Sequence, residues 1–179
     1  MPFAELDWSP DVLPGFEQAP ITGLRGFDGE VVATLVRRTD AAPAGAAVLY
    51  VHGFVDYFFQ AHLAAFYEAR GLRFFALDLR RHGRSLRPGQ WPNYTPDIDE
   101  YLDDVDAAVG LLRDASAVDR LLVNGHSTGG LVAALLMLAA GGALLAVNTS
   151  FRAIEAVVAT WLLSPFVEGQ RAAIGEHYL

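Results

Sequence analysis

Residues 121–130 read Leu-Leu-Val-Asn-Gly-His-Ser-Thr-Gly-Gly: a short apolar strand runs into Gly-x-Ser-x-Gly, and an apolar helical stretch follows from Leu131. A strand that ends and a helix that begins within so few residues need a sharp turn, and such a turn presents the Ser127 hydroxyl at its apex. Gly125 and Gly129 flank Ser127 two residues away on each side. Lacking a Cβ, they permit strained dihedrals and close backbone packing. The helix that follows directs its first N–H groups and the positive end of its dipole towards negative charge formed at Ser127. The five-residue pattern alone recurs by accident, and a glycine-rich turn whose serine only caps a helix is the other reading of it. The strand before it and the helix after it favour a presented nucleophile.

Apolar runs of two periods surround that turn. Residues 1–20 carry Pro2, Pro10, Pro14 and Pro20 without periodicity and read as an irregular N-terminal arm, with one domain over 21–179. Residues 21–27 and 30–38 flank Asp28-Gly29 as a β-hairpin. Ala46–Val51 is wholly apolar and ends at His52-Gly53, the composition of a strand buried on both faces of a parallel sheet. Phe59, Leu63, Phe66 and Tyr67 recur at helical spacing, with Gly71 as the C-terminal cap. Residues 74–77 form the next buried strand, with Asp78 at its carboxyl end and a long loop over 79–95.

A second helix is expected from near Pro96, capped by Thr95, with Asp97, Asp99 and Glu100 in its first turn. Its apolar stripe is Ile98, Tyr101, Leu102, Val105, Val109 and Leu112. After the strand at 121–124 and a helix over 128–140, a strand at 143–147 and a helix over 152–163 are expected. Alternating strands and helices give an α/β class: a mainly parallel sheet with helices on both faces and right-handed crossovers.

Composition removes several chemistries. There is no cysteine and all 13 basic residues are arginine, which excludes thiolate nucleophiles, Schiff bases and the phosphate-loop lysine. A formal net charge of −8 argues against a nucleic-acid partner. The histidines are scattered, so no metal site is expected, and the carboxylates of 97–106 read as a solvated helix face. No dinucleotide-binding glycine motif follows the first central strand, so no cofactor is expected. The amino terminus shows no secretory leader, so a cytoplasmic location is expected. Residues 121–151 contain no formally charged group, a run longer than the roughly 20 residues a bilayer requires. Asn124 to Ser127 and Gly141-Gly142 interrupt it, so strand, buried helix and strand are expected rather than a membrane span at 129–148.

Three segments, in this order and spacing, resemble the α/β-hydrolase fold: His52-Gly53-Phe54, Asp78-Leu79-Arg80-Arg81-His82-Gly83-Arg84-Ser85, and Gly125-His126-Ser127-Thr128-Gly129-Gly130. Within that fold they resemble the monoglyceride lipase and lysophospholipase-like group, the serine aminopeptidase S33-type domain. The likeness implies an acyl-enzyme on Ser127 and a lipid or small acyl ester as substrate. It implies an oxyanion hole made by the backbone N–H groups of Phe54 and Thr128. His52 and Gly53 then shape the oxyanion turn, and Gly125, His126 and Gly129 support the elbow. Residues 78–85 are a structural loop beside the site, with His82 and Arg84 solvated and paired to nearby acids. Arg73, Arg80, Arg81, Arg84 and Arg87 read as solvated surface, with an anionic head group as the alternative. Phe54, Tyr57, Phe58 and Phe59 read mostly as core, with an acyl pocket as the alternative, and His62 reads as a helix-face residue.

The fold orders its triad as nucleophile, acid, histidine. Beyond Ser127 the chain holds no aspartate, three glutamates (Glu155, Glu168, Glu176) and a single histidine, His177. The later strands and cap are not legible, so the chain resembles the N-terminal part of such a hydrolase. Two readings stand at this point: a serine hydrolase of carboxylic esters, or a truncated or non-catalytic relative lacking acid and base. His177, oriented by Glu155 or Glu168, is the substitute pair the chain offers. The strand at 143–147 is then an exposed sheet edge open to self-association.

Overall fold

A computed structural model describes residues 3–40, 45–114, 118 and 120–139. In chain order these form β1 (Ser9–Pro10), β2 (Phe16–Gly26), β3 (Gly29–Arg38), β4 (Ala46–Val51), α1 (Ala61–Glu68), β5 (Arg73–Asp78), α2 (Asp99–Asp114), β6 (Arg120–Gly125) and α3 (Thr128–Ala139). The strands make one sheet in the order β1-β2-β3-β5-β4-β6. β4 lies between β5 and β6 and pairs with both in parallel. β3 joins antiparallel to β5, with Thr34 opposite Asp78, and carries the β2 hairpin outward.

Both faces of the parallel core are covered, as the apolar runs require. From β4, Ala47, Leu49 and Val51 pack with Phe75 and Leu77 of β5 against Val105, Val109 and Leu112 of α2 and Val132 of α3. The alternate residues turn to the opposite face, where Tyr50 meets Phe58, Phe58 meets Phe74, and Phe74 stacks on Tyr67 of α1. A fully buried residue of this size contributes about 1.5–3 kcal/mol in removed apolar area. Gly71 at φ 75° ends α1 in a Schellman arrangement, with Leu72 N–H donating to Tyr67 O and Gly71 N–H to Glu68 O.

Several boundaries differ from the sequence reading. The sheet already includes Ser9–Pro10, and β2 begins at Phe16 within the arm expected to be irregular. Phe16, Ala19 and Ile21 are buried there, whereas the prolines had disguised the pattern. Pro20 is tolerated because β2 pairs with β1 only at Glu17 and Gln18, so the missing N–H faces no second strand. α1 starts at Ala61, leaving Phe59 outside it and exposed. α2 starts at Asp99, after a turn in which Asp97 accepts the Asp99 N–H at 3.0 Å. The strand and helix expected at 143–147 and 152–163 lie outside the described residues.

Candidate active site

The β6–α3 junction is the sharp turn that the glycine pattern requires. His126 N–H still donates to Val51 O at 2.9 Å, continuing the parallel ladder, and Gly129 N–H already donates to His126 O at 2.8 Å. Ser127 is the residue that reverses the chain, at φ 52°. A side chain in the left-handed region costs on the order of 1–3 kcal/mol and persists only where packing fixes it. The flanking glycines supply that packing. A Cβ at Gly125 would collide with the backbone of Gly129 and Gly130, and one at Gly129 with the carbonyls of Val51 and His52. Close approach is therefore the reason for both glycines, and the backbone strain falls on the serine itself.

The turn after β4 closes onto this junction. A Cβ at Gly53 would lie 3.2 Å from both Ser127 Cβ and His126 Nδ1. The next residues are Phe54, 63% exposed, and Val55 at φ 53°. Among the described residues neither the Phe54 nor the Thr128 amide donates a hydrogen bond. His126 Nδ1 stands 3.8 Å from Asp56 Oδ2. Burial pushes the Asp56 carboxyl up, but the neighbouring His126 ring and the hydrogen bond from Tyr57 N–H outweigh it and hold the group below its ordinary range.

His52 is wholly buried and engaged at both nitrogens. Leu79 N–H donates to Nε2 at 3.0 Å, so the proton sits on Nδ1 and is donated to Gly53 O at 2.7 Å. Burial lowers its pKa, and the ring is a neutral strut of the turn. The His82 ring lies 4.8 Å from it, with Nδ1 against Arg80 O at 2.8 Å. Burial, aided by the neighbouring His52, brings the His82 pKa down to about 4.

The loop after β5 is beside the site, as the resemblance implies, but it is not solvated. Arg80, Arg81 and His82 are buried and Arg84 nearly so, which corrects both the surface reading and the head-group alternative for these arginines. Arg80 forks onto Asp104 of α2, with Nη2 to Oδ1 at 2.7 Å and Nε to Oδ1 at 2.9 Å. Asp104 is itself 0% exposed, so the carboxylates of 97–106 are not uniformly a solvated face. Burial pushes the Asp104 carboxyl up and Arg80 pulls it back. Arg81, at φ 62°, pairs with Asp28 and with Glu100 and lies over the Phe27 ring. Arg73 is half-buried over Phe75, and Arg87 remains exposed.

Of Phe54, Tyr57, Phe58 and Phe59, only Phe58 is core, and the other three are exposed. His62 lies on an exposed face of α1, as expected. Asp11, Asp56 and Asp104 escaped the sequence reading. Only Asp104 carried a signal, because it shares the buried helical face of Tyr101 and Ala108. Glu155, Glu168 and His177 lie outside the described residues. Among the described residues there is no group of three or more metal-ligating side chains, and no helix is long and apolar enough to cross a membrane.

A strained serine between a parallel strand and a helix, faced by the turn of the neighbouring strand, is the arrangement of the α/β-hydrolase fold. The chain belongs to the family described as serine aminopeptidase, S33, whose model matches residues 42–172. A monoacylglycerol lipase from Mycolicibacterium smegmatis is 33% identical over 106 residues, covering 59% of this chain and 36% of the lipase. The epoxide hydrolase VrEH1 from Vigna radiata superposes with a TM-score of 0.52 at 23% identity, over 72% of this chain and 36% of that enzyme, and shows the same fold. An acetyl xylan esterase from Paenibacillus sp. R4 superposes with a TM-score of 0.49 at 20% identity, over 74% of this chain and 48% of the esterase. The matched part of this chain thus spans about a third to a half of each relative's length.

Proposed function

We propose that the protein is a serine hydrolase of carboxylic esters, acting on lipid or small acyl esters through an acyl-enzyme on Ser127. The observation that carries this reading is Ser127 at φ 52° with Gly53 packed against its Cβ. In the proposed reaction Ser127 Oγ attacks the ester carbonyl carbon and loses its proton to a base. The negative charge that develops on the carbonyl oxygen is received by the amides of Phe54 and Thr128. Collapse of the intermediate expels the alcohol, which takes the proton from the base, and water then releases the acid by the same route. Each such donor is worth about 10²–10³ in rate. The family and the lipase relative support an ester substrate of the acyl-lipid kind.

His52 does not serve as the base, because both of its nitrogens are occupied. The order nucleophile, acid, histidine puts the base after Ser127 in the chain, and His177 is the histidine that variants there can test. A fluorophosphonate probe tests the nucleophile. The folded protein labels at Ser127 and Ser127→Ala does not; absence of label on the folded wild type removes the proposal.

The alternative reading is a binding protein of hydrolase fold that lacks a working acid and base. Turnover of a p-nitrophenyl ester separates the two. A rate that depends on both Ser127 and His177 supports the enzyme. A residual rate of about 10³–10⁴ over water, indifferent to His177, is what binding and the oxyanion hole alone supply.

A further inference from the structure

We infer that Asp11, outside the segment matched by the family model, is a positioning residue for the turn that carries the Phe54 amide, acting through Arg84. The inference rests on the reading of that amide as an oxyanion donor.

The Arg84 guanidinium joins three parts of the chain. Its Nε donates to Asp11 Oδ2 at 2.5 Å and its Nη2 to Asp11 Oδ1 at 2.7 Å, a two-pronged fork onto a fully buried carboxylate. Its Nη1 donates to Asp78 Oδ2 at 2.9 Å and to Phe58 O at 2.8 Å. Asp78 Oδ1 in turn accepts the Phe58 N–H at 2.8 Å. Both polar ends of the Phe58 residue are therefore clamped by one ion pair, and its ring is buried against Phe16 and Phe74.

Phe58 is the downstream anchor of a short turn whose upstream anchor is Gly53, seated against Ser127 and His126. Between the anchors the chain runs through Phe54 and through Val55 at φ 53°. A planar guanidinium with five donors has its orientation fixed by its forked partner. Asp11 occupies the Nε and Nη2 edge and so aims Nη1 at Phe58 O. Asp11 is itself held, because Leu13 N–H donates to its Oδ1 at 2.7 Å and its own N–H donates to Phe16 O at 3.0 Å. Without Asp11 the guanidinium keeps only Asp78 and is free to rotate about that contact. The turn then loses the carbonyl half of its clamp while the sheet beneath keeps its pairing.

The test uses the full 179-residue chain with Asp11→Asn, Asp11→Ala and Asp11→Glu. Hydrogen exchange is read over residues 53–59 and over β4 and α3, alongside the rate of fluorophosphonate labelling and the melting temperature. The expected result for Asp11→Asn is faster exchange confined to residues 53–59 and labelling slowed about tenfold, as a small misplacement of a donor produces. The melting temperature stays near that of the wild type, and Asp11→Glu recovers part of the rate. Should Asp11→Ala not fold, the near-isosteric Asn variant carries the experiment. Unchanged exchange at 53–59, a rise spread evenly over the sheet, or local opening with unchanged labelling overturns the inference. A wild type that does not label removes the proposed function instead, and exchange at 53–59 then still decides whether Asp11 holds the turn.

Discussion

Gly53 and Ser127 are packed so closely that a β-carbon on the first would lie 3.2 Å from the β-carbon of the second. The turn after β4 and the elbow after β6 thus meet with the Ser127 and His126 side chains seated directly against the Gly53 backbone. Nothing in the immediate sequence of either segment encodes that approach, which depends on β4 and β6 pairing in register as far as Val51 and Gly125.

Gly53→Ala and Gly129→Ala are therefore expected to separate function from folding. At Gly53 the neighbours need shift by only a few tenths of an ångström. The expected outcome is labelling of Ser127 slowed by about tenfold or more with little change in the urea midpoint. At Gly129 the new methyl meets the backbone carbonyls of Val51 and His52, which have nowhere to go. That variant is expected to lose several kcal/mol, an overpacking cost above the usual ~1–3 kcal/mol because the obstacle is backbone. Equal destabilisation of the two variants would contradict this account.

Ser127 itself gives a second test. A non-glycine residue at φ 52° is strained, and glycine adopts that conformation freely. Ser127→Gly is expected to unfold about 1 kcal/mol later than Ser127→Ala, both being unlabelled by the probe. The comparison with alanine removes the hydroxyl from the question. An alanine variant as stable as the glycine variant would mean that the turn carries no strain.

What was legible beforehand divides along physical lines. β4 could be read residue by residue because both of its faces are buried, so its composition alone defines it. The elbow was legible because strand, glycines and helix are adjacent in the chain. Local sequence did not reveal pairings made across it. Asp104 sits among acidic neighbours in a helix and looks solvated until Arg80, 24 residues earlier, folds onto it. Asp11 meets Arg84 across 73 residues. β2 was read too short because proline density disguised a strand whose outer side is largely unpaired.

The Arg80–Asp104 pair predicts an asymmetry between single and double replacement. Both side chains are wholly buried, and removing Asp104 leaves the Arg80 charge away from water with only the longer contact to Glu100 at 3.2 Å. Asp104→Ala is expected to lose about 3–5 kcal/mol, measured by urea unfolding. Replacing both residues together with apolar residues of matched volume is expected to recover most of that loss, since desolvation of the pair offsets much of its attraction. The recovery will be incomplete, because Arg80 also donates from Nη1 to Arg25 O at 2.9 Å and that carbonyl loses its partner. A double variant no better than the single one would show that the pair is worth more than its burial costs.

His82 makes stability depend on pH in a defined window. Burial, with His52 beside it, lowers its pKa from an ordinary 6.5 to about 4. The unfolded chain therefore takes up a proton on this ring as pH falls below about 6.5, while the folded protein resists until about pH 4. Over that interval the unfolded state binds more protons, so stability falls as pH is lowered and is fully present only above the unfolded value. The loss attributable to this ring is on the order of 3 kcal/mol by pH 4. His82→Gln keeps a polar side chain able to donate to Arg80 O and cannot titrate. Urea unfolding of wild type and variant at pH 7 and pH 5 isolates the effect. The wild type is expected to lose more stability between the two pH values than the variant does, and parallel losses would show that the ring takes up its proton equally in the folded and unfolded states.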